Sequence, residues 1–275
     1  MEIKLIATDL DGTFVDDNKQ LIEENLKAFA ECAERGIEIV PTTGRTMVGL
    51  PDEIKQLPGV HYAITNNGGV VVNLMTGEVI SKCLMEAELA ASIMEFVRDS
   101  EYDVMYDAYI DGIGYNRFEF WGNLEHYVRN PGIIELVKKT RTPVEDNIAY
   151  VRNCGCGVEK INLFFPDLEA RANLREQLSK MPGILVTSSL PNNLEINAIG
   201  ADKGTALLCL AEHLKMKREE IMALGDGEND ITMIRMAGLG VAMANAEDHI
   251  KEVADYVTVT NNEAGVAVAV RKFVL

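Results

Sequence analysis

The sequence is poor in the residues that bind metals or form cross-links through sulfur and nitrogen. Among its 275 residues, 5 are cysteine and 4 are histidine, and the closest cysteines are Cys154 and Cys156. No second cysteine or histidine pair stands near them to complete a zinc site. An odd set of scattered cysteines is also not typical of a disulfide framework. We interpret them as free thiols in a reducing compartment, with a metal or redox role for the pair as the alternative.

Long apolar runs are also missing from the sequence. A segment that crosses a bilayer needs roughly 20 consecutive apolar residues, and no uncharged run approaches that length. The N-terminus has no basic region followed by an apolar stretch, which a signal peptide would require. The sequence therefore predicts a soluble, cytoplasmic protein.

Positive charge is scarce. Lysine and arginine total 26 against 43 aspartates and glutamates, which gives a formal net charge of −17. Nucleic acids and anionic membranes are bound chiefly through lysine and arginine, so neither is expected as a partner. No obligate protein partner is evident either. Acidity can serve solubility alone, but any phosphate site here must carry its own positive charge, from a metal, a lysine or backbone N–H groups.

Short apolar runs alternate with amphipathic segments at both ends of the chain. The N-terminal part predicts strands at 3–8, 37–41 and 62–65, with helices at about 21–35 and up to about 56. The C-terminal part predicts helices at 202–214, 230–237, 247–253 and 263–272, with strands at 221–224, 239–243 and 256–259. This alternation is typical of a doubly wound, mostly parallel α/β sheet of the Rossmann-like kind.

The middle of the chain differs from both ends in its predicted secondary structure and in its aromatic content. Residues 83–189 combine longer helices with alternating strands such as 158–165, and they contain most of the aromatic side chains. We expect an inserted α+β domain here, with 1–82 and 190–275 together forming the α/β domain into which it is inserted.

The segment Asp9-Leu10-Asp11-Gly12-Thr13 follows the first predicted strand. Ligands of open α/β sheets bind beyond the carboxyl ends of the strands. The two aspartates can point to the same side as the strand ends, and neighbouring carboxylates repel each other unless a cation or a proton lies between them. A divalent cation and proton transfer are both natural at such a pair. The alternative is that these residues only form a turn.

A second acidic segment, GDGEND at 225–230, again lies between a predicted buried strand and a helix. Helix capping by Asn229 or Asp230 is the structural alternative, but it leaves Asp226 and Glu228 without a reason. Two acidic clusters at the ends of neighbouring strands favour a metal site.

Two further elements favour anion binding. Thr42-Thr43-Gly44-Arg45 offers a hydroxyl and a glycine N–H, and we expect it at a helix N-terminus, where Thr43 would otherwise be a simple N-cap. Lys203 opens the predicted helix at 202–214, where a lysine opposes the helix dipole unless an anion lies nearby. An exposed surface lysine is the alternative.

These four segments, in this order, resemble the motifs of the haloacid dehalogenase superfamily. The closer resemblance is to its Cof-type phosphatases, which carry a large α/β (class IIB) cap between the second and third motifs. It covers the whole chain, with support from Asn67-Gly68, Leu194-Glu195-Ile196 and the segment Asn261 to Ala267. Departures from the usual pattern at Thr42, Gly69 and Ala264 touch no residue expected to do chemistry.

The resemblance implies a magnesium-dependent phosphatase that acts through an aspartyl-phosphate. Asp9 would be the nucleophile and Asp11 the general acid and base. Mg²⁺ would be held by the Asp9 carboxylate, the Asp11 backbone carbonyl and Asp226, with Glu228 and Asp230 orienting its bound waters. The residues implied in binding the substrate phosphate are Leu10, Thr43, Gly44, Arg45, Lys203 and Asn229.

The expected substrate is a small phosphorylated metabolite such as a sugar phosphate. Residues 83–189 would be the cap that determines its specificity, and 1–82 with 190–275 would be the catalytic core. A dehalogenase of the same fold has no use for the second acid at Asp11. A phosphomutase also needs both aspartates, and a non-catalytic sensor of phosphorylated metabolites would share the fold, so these two alternatives remain open.

Overall fold

The computed structural model describes residues 2–128 and 130–275. The backbone divides into two compact units. The first contains the residues up to 45 together with 50–82 and 202–275, and the second contains 83–201 together with the short segment 46–49. Within the described ranges, no helix is both long enough and apolar enough to cross a membrane.

The helices and strands are short and follow one another closely. Those before residue 83 are β1 (Leu5–Thr8), α1 (Glu23–Glu34), β2 (Glu38–Pro41), α2 (Asp52–Lys55), β3 (Tyr62–Thr65), β4 (Val70–Asn73) and β5 (Val79–Lys82). Those of 83–201 are α3 (Ala87–Arg98), β6 (Met105–Ile110), β7 (Ile113–Arg117), α4 (Phe118–Trp121), α5 (Leu124–Tyr127), α6 (Pro131–Thr140), β8 (Arg141–Val144), α7 (Asn147–Arg152), β9 (Lys160–Phe164), α8 (Leu168–Leu178), β10 (Ile184–Thr187) and β11 (Asn193–Ala198). The remaining ones are α9 (Lys203–His213), β12 (Ile221–Gly225), α10 (Ile231–Met236), β13 (Leu239–Ala242), α11 (Asp248–Lys251), β14 (Tyr256–Val257) and α12 (Gly265–Phe273).

The first unit is built on a five-stranded sheet in the order β14-β13-β12-β1-β2, with every pair parallel. β1 is an interior strand between β12 and β2 and is fully buried, as expected for a strand covered on both faces. One face packs against the apolar stripe of α9, formed by Ala206, Leu207, Leu210 and Ala211. The predicted α/β fold class and the predicted buried face of this helix are confirmed.

The third predicted strand lies where the sequence placed it but has a different partner. β3 pairs antiparallel with β4 in a separate three-stranded sheet, β3-β4-β5. Its link to the edge of the parallel sheet is the isolated parallel bridge between Thr42 and Ile64. The hairpin from β3 to β4 is possible because Asn66, Asn67 and Gly68 all adopt positive φ angles between the two strands.

The second unit contains a six-stranded sheet in the order β10-β11-β9-β6-β7-β8. Its pairs are antiparallel except for β7 with β8. One face carries Ala108, Ile161, Leu163, Leu194 and Ile196, which belong to one apolar core with buried residues of α3, α7 and α8. An α+β unit with its own core is therefore present, as predicted for this part of the chain.

The boundary on the C-terminal side differs from the predicted position at 189/190. Strand β11, expected in the first unit, pairs along its length with β10 and β9. These antiparallel pairs make it an interior strand of the six-stranded sheet, so the chain leaves the second unit only after residue 201.

Candidate active site

The two acidic segments come together because their strands are neighbours. Asp9 directly follows β1 and Asp226 directly follows β12, and these two strands are parallel and adjacent. The Asp9 N–H donates a hydrogen bond to the Leu224 carbonyl at 3.0 Å, which continues the strand pairing. Both carboxylates therefore emerge at the same edge of the sheet, where open α/β sheets bind their ligands.

A buried lysine joins this cluster. Lys203, the first residue of α9, has no exposed surface, and its Nζ lies 2.6 Å from Asp9 Oδ1 and 2.5 Å from Asp230 Oδ1. Burial would lower the pKa of Lys203, but Asp230 and Asp9 raise it above its ordinary value, so the side chain stays charged. The structure thus supplies the anions that the sequence analysis required for a lysine at a helix N-terminus.

Asp226 is held by two polar neighbours. Thr13 Oγ1 donates to Asp226 Oδ1 at 2.7 Å, and Asn245 Nδ2 lies 3.3 Å from Asp226 Oδ2. Burial and the nearby charge of Asp230 raise the pKa of the Asp226 carboxyl to about 7. Burial also raises the pKa of Asp9 well above its usual range, although Lys203 opposes that shift. Raised pKa values of this kind indicate buried carboxylates that have too little positive charge nearby to stabilise all of their negative charges.

Asp230 shapes the loop between β12 and α10. Its Oδ2 accepts hydrogen bonds from the N–H groups of Asp226 and Gly227 at 2.9 and 2.8 Å, and its Oδ1 accepts from Lys203. The side chain is therefore occupied by the loop and the lysine, and it does not serve as a cap of α10. A β-carbon on Gly225 would lie 2.4 Å from Asp230 Cβ, so the tight loop depends on glycine there.

The cluster fits a hard divalent cation. Asp9, Asp226 and Asp230 each offer an oxygen, and these oxygens all lie within 4.8 Å of one another. Magnesium prefers oxygen ligands and is usually bound by one or two carboxylates together with waters. Asp230, whose two oxygens are already engaged, suits the predicted role of orienting waters. The assignment of Asp9, the Asp11 carbonyl and Asp226 as direct ligands stays a prediction.

The second aspartate of the first motif points to different partners. Arg45 contacts both oxygens of Asp11, with Nε at 2.7 Å and Nη2 at 2.6 Å, and Lys19 Nζ lies at 3.0 Å. Burial would raise the pKa of Asp11, but the hydrogen bonds and charges of Arg45 and Lys19 lower it to about 2. Arg45, predicted to bind substrate, here binds the carboxylate predicted to act as acid and base.

Gly12 allows the first motif to lie against Asp226 at the end of β12. It has φ +92°, and a β-carbon there would lie 2.3 Å from Asp226 Oδ2. Any side chain at this position would collide with the carboxylate and would also strain the backbone. Asn245 Nδ2 fixes the turn further by donating to the Gly12 carbonyl at 2.9 Å.

The TTGR segment does not start a helix, and this part of the sequence analysis was wrong. Helix α2 begins only at Asp52, and residues 44–45 form a bend after β2. The turn between β3 and β4 stabilises this bend through two hydrogen bonds. The Asn66 N–H donates to the Arg45 carbonyl, and the Asn67 N–H donates to the Thr43 carbonyl. Thr43 is buried, and its Oγ1 accepts a hydrogen bond from the Arg45 N–H at 3.1 Å.

The remaining predicted residues lie in the same loops. Leu10 stands between Asp9 and Asp11, and Gly44 directly precedes Arg45. Asn229 Nδ2 donates to Asn67 Oδ1 at 3.0 Å. Glu228 is half-buried in the loop after β12. The roles predicted for all of them stay predictions.

Sequence reasoning missed several residues of the site. Thr13 stands inside the quoted first motif, and its hydroxyl could have been noticed there. Lys19 and Asn245 carried no signal, because each stands in a loop with no spacing pattern that connects it to the aspartates.

Comparison with known proteins agrees with this geometry. A family model described as haloacid dehalogenase-like hydrolase matches residues 6–270. The chain belongs to this family of hydrolases.

Individual relatives and solved structures extend the comparison. A Bacillus subtilis protein named 5-amino-6-(5-phospho-D-ribitylamino)uracil phosphatase YcsE is 34% identical over 275 residues, which is 100% of this chain and 97% of that protein. The solved structure of a haloacid dehalogenase-like hydrolase from B. subtilis has a TM-score of 0.85 at 27% identity and covers 99% of this chain and 100% of its own. The subclass IIB sugar phosphatase BT4131 has a TM-score of 0.79 at 23% identity, with 98% of both chains covered, and shows the fold alone.

The resemblance seen in the sequence is thus confirmed for this haloacid dehalogenase-like hydrolase. It is an enzyme of the phosphatase type, acting on phosphate esters.

Proposed function

We propose that this hydrolase is a magnesium-dependent phosphatase that cleaves small phosphate monoesters through an aspartyl-phosphate on Asp9. The observation that carries the proposal is the position of Asp9 at the carboxyl end of the buried strand β1. There it lies against the fully buried Lys203 and in one oxygen cluster with Asp226.

Each side chain has a separate task in the proposed reaction. Asp9 attacks phosphorus, and Lys203 orients its carboxylate through Oδ1 and offers positive charge to the phosphoryl oxygens. The Leu10 and Gly44 N–H groups, the Thr43 hydroxyl and the Asn229 amide bind the remaining oxygens. Magnesium, held by Asp9, Asp226 and the Asp11 carbonyl, supplies further charge neutralisation when bound.

Asp11, once it has taken up a proton from solvent, gives that proton to the leaving oxygen, and the carboxylate so formed takes one from the water that hydrolyses the aspartyl-phosphate. In the structure its carboxylate is paired with Arg45 and Lys19. A phosphate ester carries the kind of charge that competes for these cations. We propose that Arg45 turns to the substrate when it binds and so releases Asp11 for proton transfer.

The substrate we propose is a sugar phosphate or a metabolite with a comparable hydroxylated chain, with the second unit determining specificity. The named substrate of the B. subtilis relative, a phosphorylated ribitylamino-uracil, is of this kind. Neither phosphoprotein nor duplex nucleic acid is expected to be cleaved, since a surface of net charge −17 repels large polyanions.

The test is phosphate release from a panel of sugar phosphates, nucleotides, flavin mononucleotide and p-nitrophenyl phosphate, with magnesium and with excess chelator. We expect the Asp9→Asn variant to fold and to lose turnover, because asparagine is nearly isosteric but cannot form an acyl phosphate. The exposed Asp248→Asn in α11 is the matched control and should behave as the unsubstituted enzyme.

Trapping the intermediate separates this mechanism from its rivals. A phosphoryl adduct on the peptide that contains Asp9 supports it, and transfer of the phosphoryl group to a second sugar instead of water would identify a phosphomutase. Turnover near the unsubstituted level in Asp9→Asn would remove Asp9 as nucleophile. Tight binding of a panel member without any turnover would identify a sensor.

A further inference from the structure

A third strand end of the parallel sheet brings a side chain to the edge where Asp9 and Asp226 lie. β13 is the parallel neighbour of β12, and the Met243 N–H continues this pairing by donating to the Gly225 carbonyl at 3.0 Å. The chain then turns, and the turn contains Asn245. The proposed reaction gives this residue no task, although its side chain reaches both acidic loops.

The amide of Asn245 links three loops of the first unit. Its Nδ2 donates to the Gly12 carbonyl at 2.9 Å and lies 3.3 Å from Asp226 Oδ2, while its Oδ1 accepts from the Asn261 N–H at 3.0 Å. The partners determine which way the amide points, because the oxygen has to face the N–H group and the NH₂ group has to face the two oxygens.

Asp226 is thereby contacted at both of its carboxylate oxygens. Thr13 Oγ1 donates to Oδ1 at 2.7 Å, and the Asn245 amide lies at Oδ2. An ionised carboxylate accepts at about four lone-pair sites, so these two contacts restrict its rotation and still leave sites for a cation. Hydrogen bonds of this kind orient metal ligands and change metal affinity. Thr13 is buried, whereas Asn245 is exposed and can be replaced without disturbing the core.

The segment that begins at Asn261 holds Asn245 in turn. Asn261 is 1% exposed, and its Nδ2 contacts the Val15 carbonyl at 3.1 Å and Asp17 Oδ1 at 3.0 Å. Asn262 Nδ2 lies 2.9 Å from Asp17 Oδ2. The segment is therefore bound to the chain that follows the first motif, and from this fixed position its backbone N–H is presented to Asn245.

Stability alone is a weak reason for this arrangement. A hydrogen bond at an exposed position adds little to the free energy of unfolding, because water replaces it in the unfolded chain. The Asn245 amide nevertheless reaches the turn of the first motif and the carboxylate at the end of β12. The direction of that carboxylate is what these contacts determine.

We propose that Asn245 is a positioning residue for the divalent cation, which it serves by directing the Asp226 carboxylate and fixing the turn at Gly12. This inference rests on the proposed function, in which Asp226 is a magnesium ligand. It also gives the segment at Asn261 a task, since that segment fixes the amide that does the positioning.

The experiment compares two substitutions of Asn245 with the same substitutions at the exposed Asn123 of the second unit. Asn245→Ala removes the amide. Asn245→Asp keeps its shape but places an oxygen against the Gly12 carbonyl and the Asp226 carboxylate, which repel it. Magnesium affinity is measured by calorimetry at about pH 8, where protons compete little with the metal for carboxylates. The magnesium dependence of p-nitrophenyl phosphate hydrolysis is measured in parallel.

We expect magnesium to bind about tenfold more weakly to both Asn245 variants, as loss of a hydrogen bond to a metal ligand does. The magnesium concentration at half-maximal activity should rise by the same factor. At saturating magnesium, kcat should return to within about threefold of the unsubstituted enzyme, because the substitution removes binding and no reacting group. The unfolding midpoint of Asn245→Ala in chelator should be unchanged, and Asn123→Ala and Asn123→Asp should match the unsubstituted enzyme throughout.

Two results would overturn the inference while the enzyme still releases phosphate. Tighter magnesium binding by Asn245→Asp would show that charge near the site matters and the direction of Asp226 does not. A lower unfolding midpoint of Asn245→Ala in chelator, with unchanged magnesium affinity, would show a purely structural role.

Calorimetry separates this inference from the proposed function. If no ester releases phosphate but magnesium binds the unsubstituted protein and binds both Asn245 variants more weakly, the proposed function fails and the inference is supported. If magnesium-dependent turnover is present and the Asn245 and Asn123 variants bind magnesium equally, the inference fails alone. No binding of magnesium to the unsubstituted protein overturns the inference.

Discussion

Replacing Lys203 by methionine tests whether the buried charges of the site depend on one another. The substitution keeps the length of the side chain but leaves Asp9 and Asp230 buried without their cation. Breaking a buried ion pair by removing one partner typically destabilises a protein by about 3–5 kcal/mol, because the remaining charge is not compensated. We expect Lys203→Met to lower the free energy of unfolding by that amount at neutral pH without magnesium.

The same reasoning predicts coupling between two substitutions. Asp230→Asn removes one of the stranded charges, so the double variant should be more stable than the sum of the two single changes predicts. Contacting charged residues show coupling of about 0.5–3 kcal/mol, and we expect the upper part of that range because all three groups are buried. The destabilisation by Lys203→Met should also shrink as the pH falls. Burial already raises the pKa of Asp9, and loss of the lysine raises it further, so Asp9 takes up a proton in the folded state.

The assay is urea unfolding of the four proteins in chelator, followed by circular dichroism. Lys27→Met, which breaks an exposed pair with Glu23 on α1, is the control and should leave the unfolding transition unchanged. Additive effects of the two substitutions, to within about 0.5 kcal/mol, would refute the reasoning, because independent sites behave in that way.

Three further predictions concern Asp226. The proposed magnesium ion would have to displace the proton that Asp226 holds below its pKa of about 7. Calorimetry should therefore show the affinity for magnesium falling as the pH drops below 7 and levelling off above it; an affinity independent of pH between 5 and 8 would contradict this. In chelator the pH dependence has the opposite direction. The free energy of unfolding should decline as the pH rises through 7, because the folded state holds the Asp226 proton more tightly than the unfolded chain does. Gly12→Ala should lower the free energy of unfolding by about 1–3 kcal/mol through backbone strain, and it should weaken magnesium binding because the new methyl group displaces Asp226. Gly77→Ala is the control, since Gly77 also has a positive φ but has open space around it, and it should show the strain alone. Equal magnesium affinity in the two variants would argue against the close contact between Gly12 and Asp226.

The sequence was most informative where local chemistry decides structure. The apolar runs at β1 and β12 predicted buried parallel strands, and the acidic residues directly after them had to meet once those strands were neighbours. The lysine at the start of α9 was recognised from its unfavourable place in the helix dipole. Each of these inferences depends on a few consecutive residues and a general rule.

Features that depend on distant pairing were less accessible. Nothing in the sequence of β11 shows that it pairs with β9 instead of joining the parallel sheet, because an alternating strand can belong to either. The link from Arg45 and Lys19 to Asp11 required knowing how three loops converge. The helix expected after TTGR was displaced because the turn at Asn66 and Asn67 holds that segment as a bend.

The order of strands in the parallel sheet also has a consequence for how the chain folds during synthesis. β1 leaves the ribosome long before its register partner on one side, β12, which begins only at Ile221. Residues 83–201, by contrast, are consecutive and can form their six-stranded sheet as soon as they emerge. A nascent chain that ends before β12 therefore exposes the edge of an apolar strand, which is the kind of surface that promotes aggregation and chaperone binding. The final quarter of the chain closes that edge, and the same event brings Lys203 and Asp226 to Asp9.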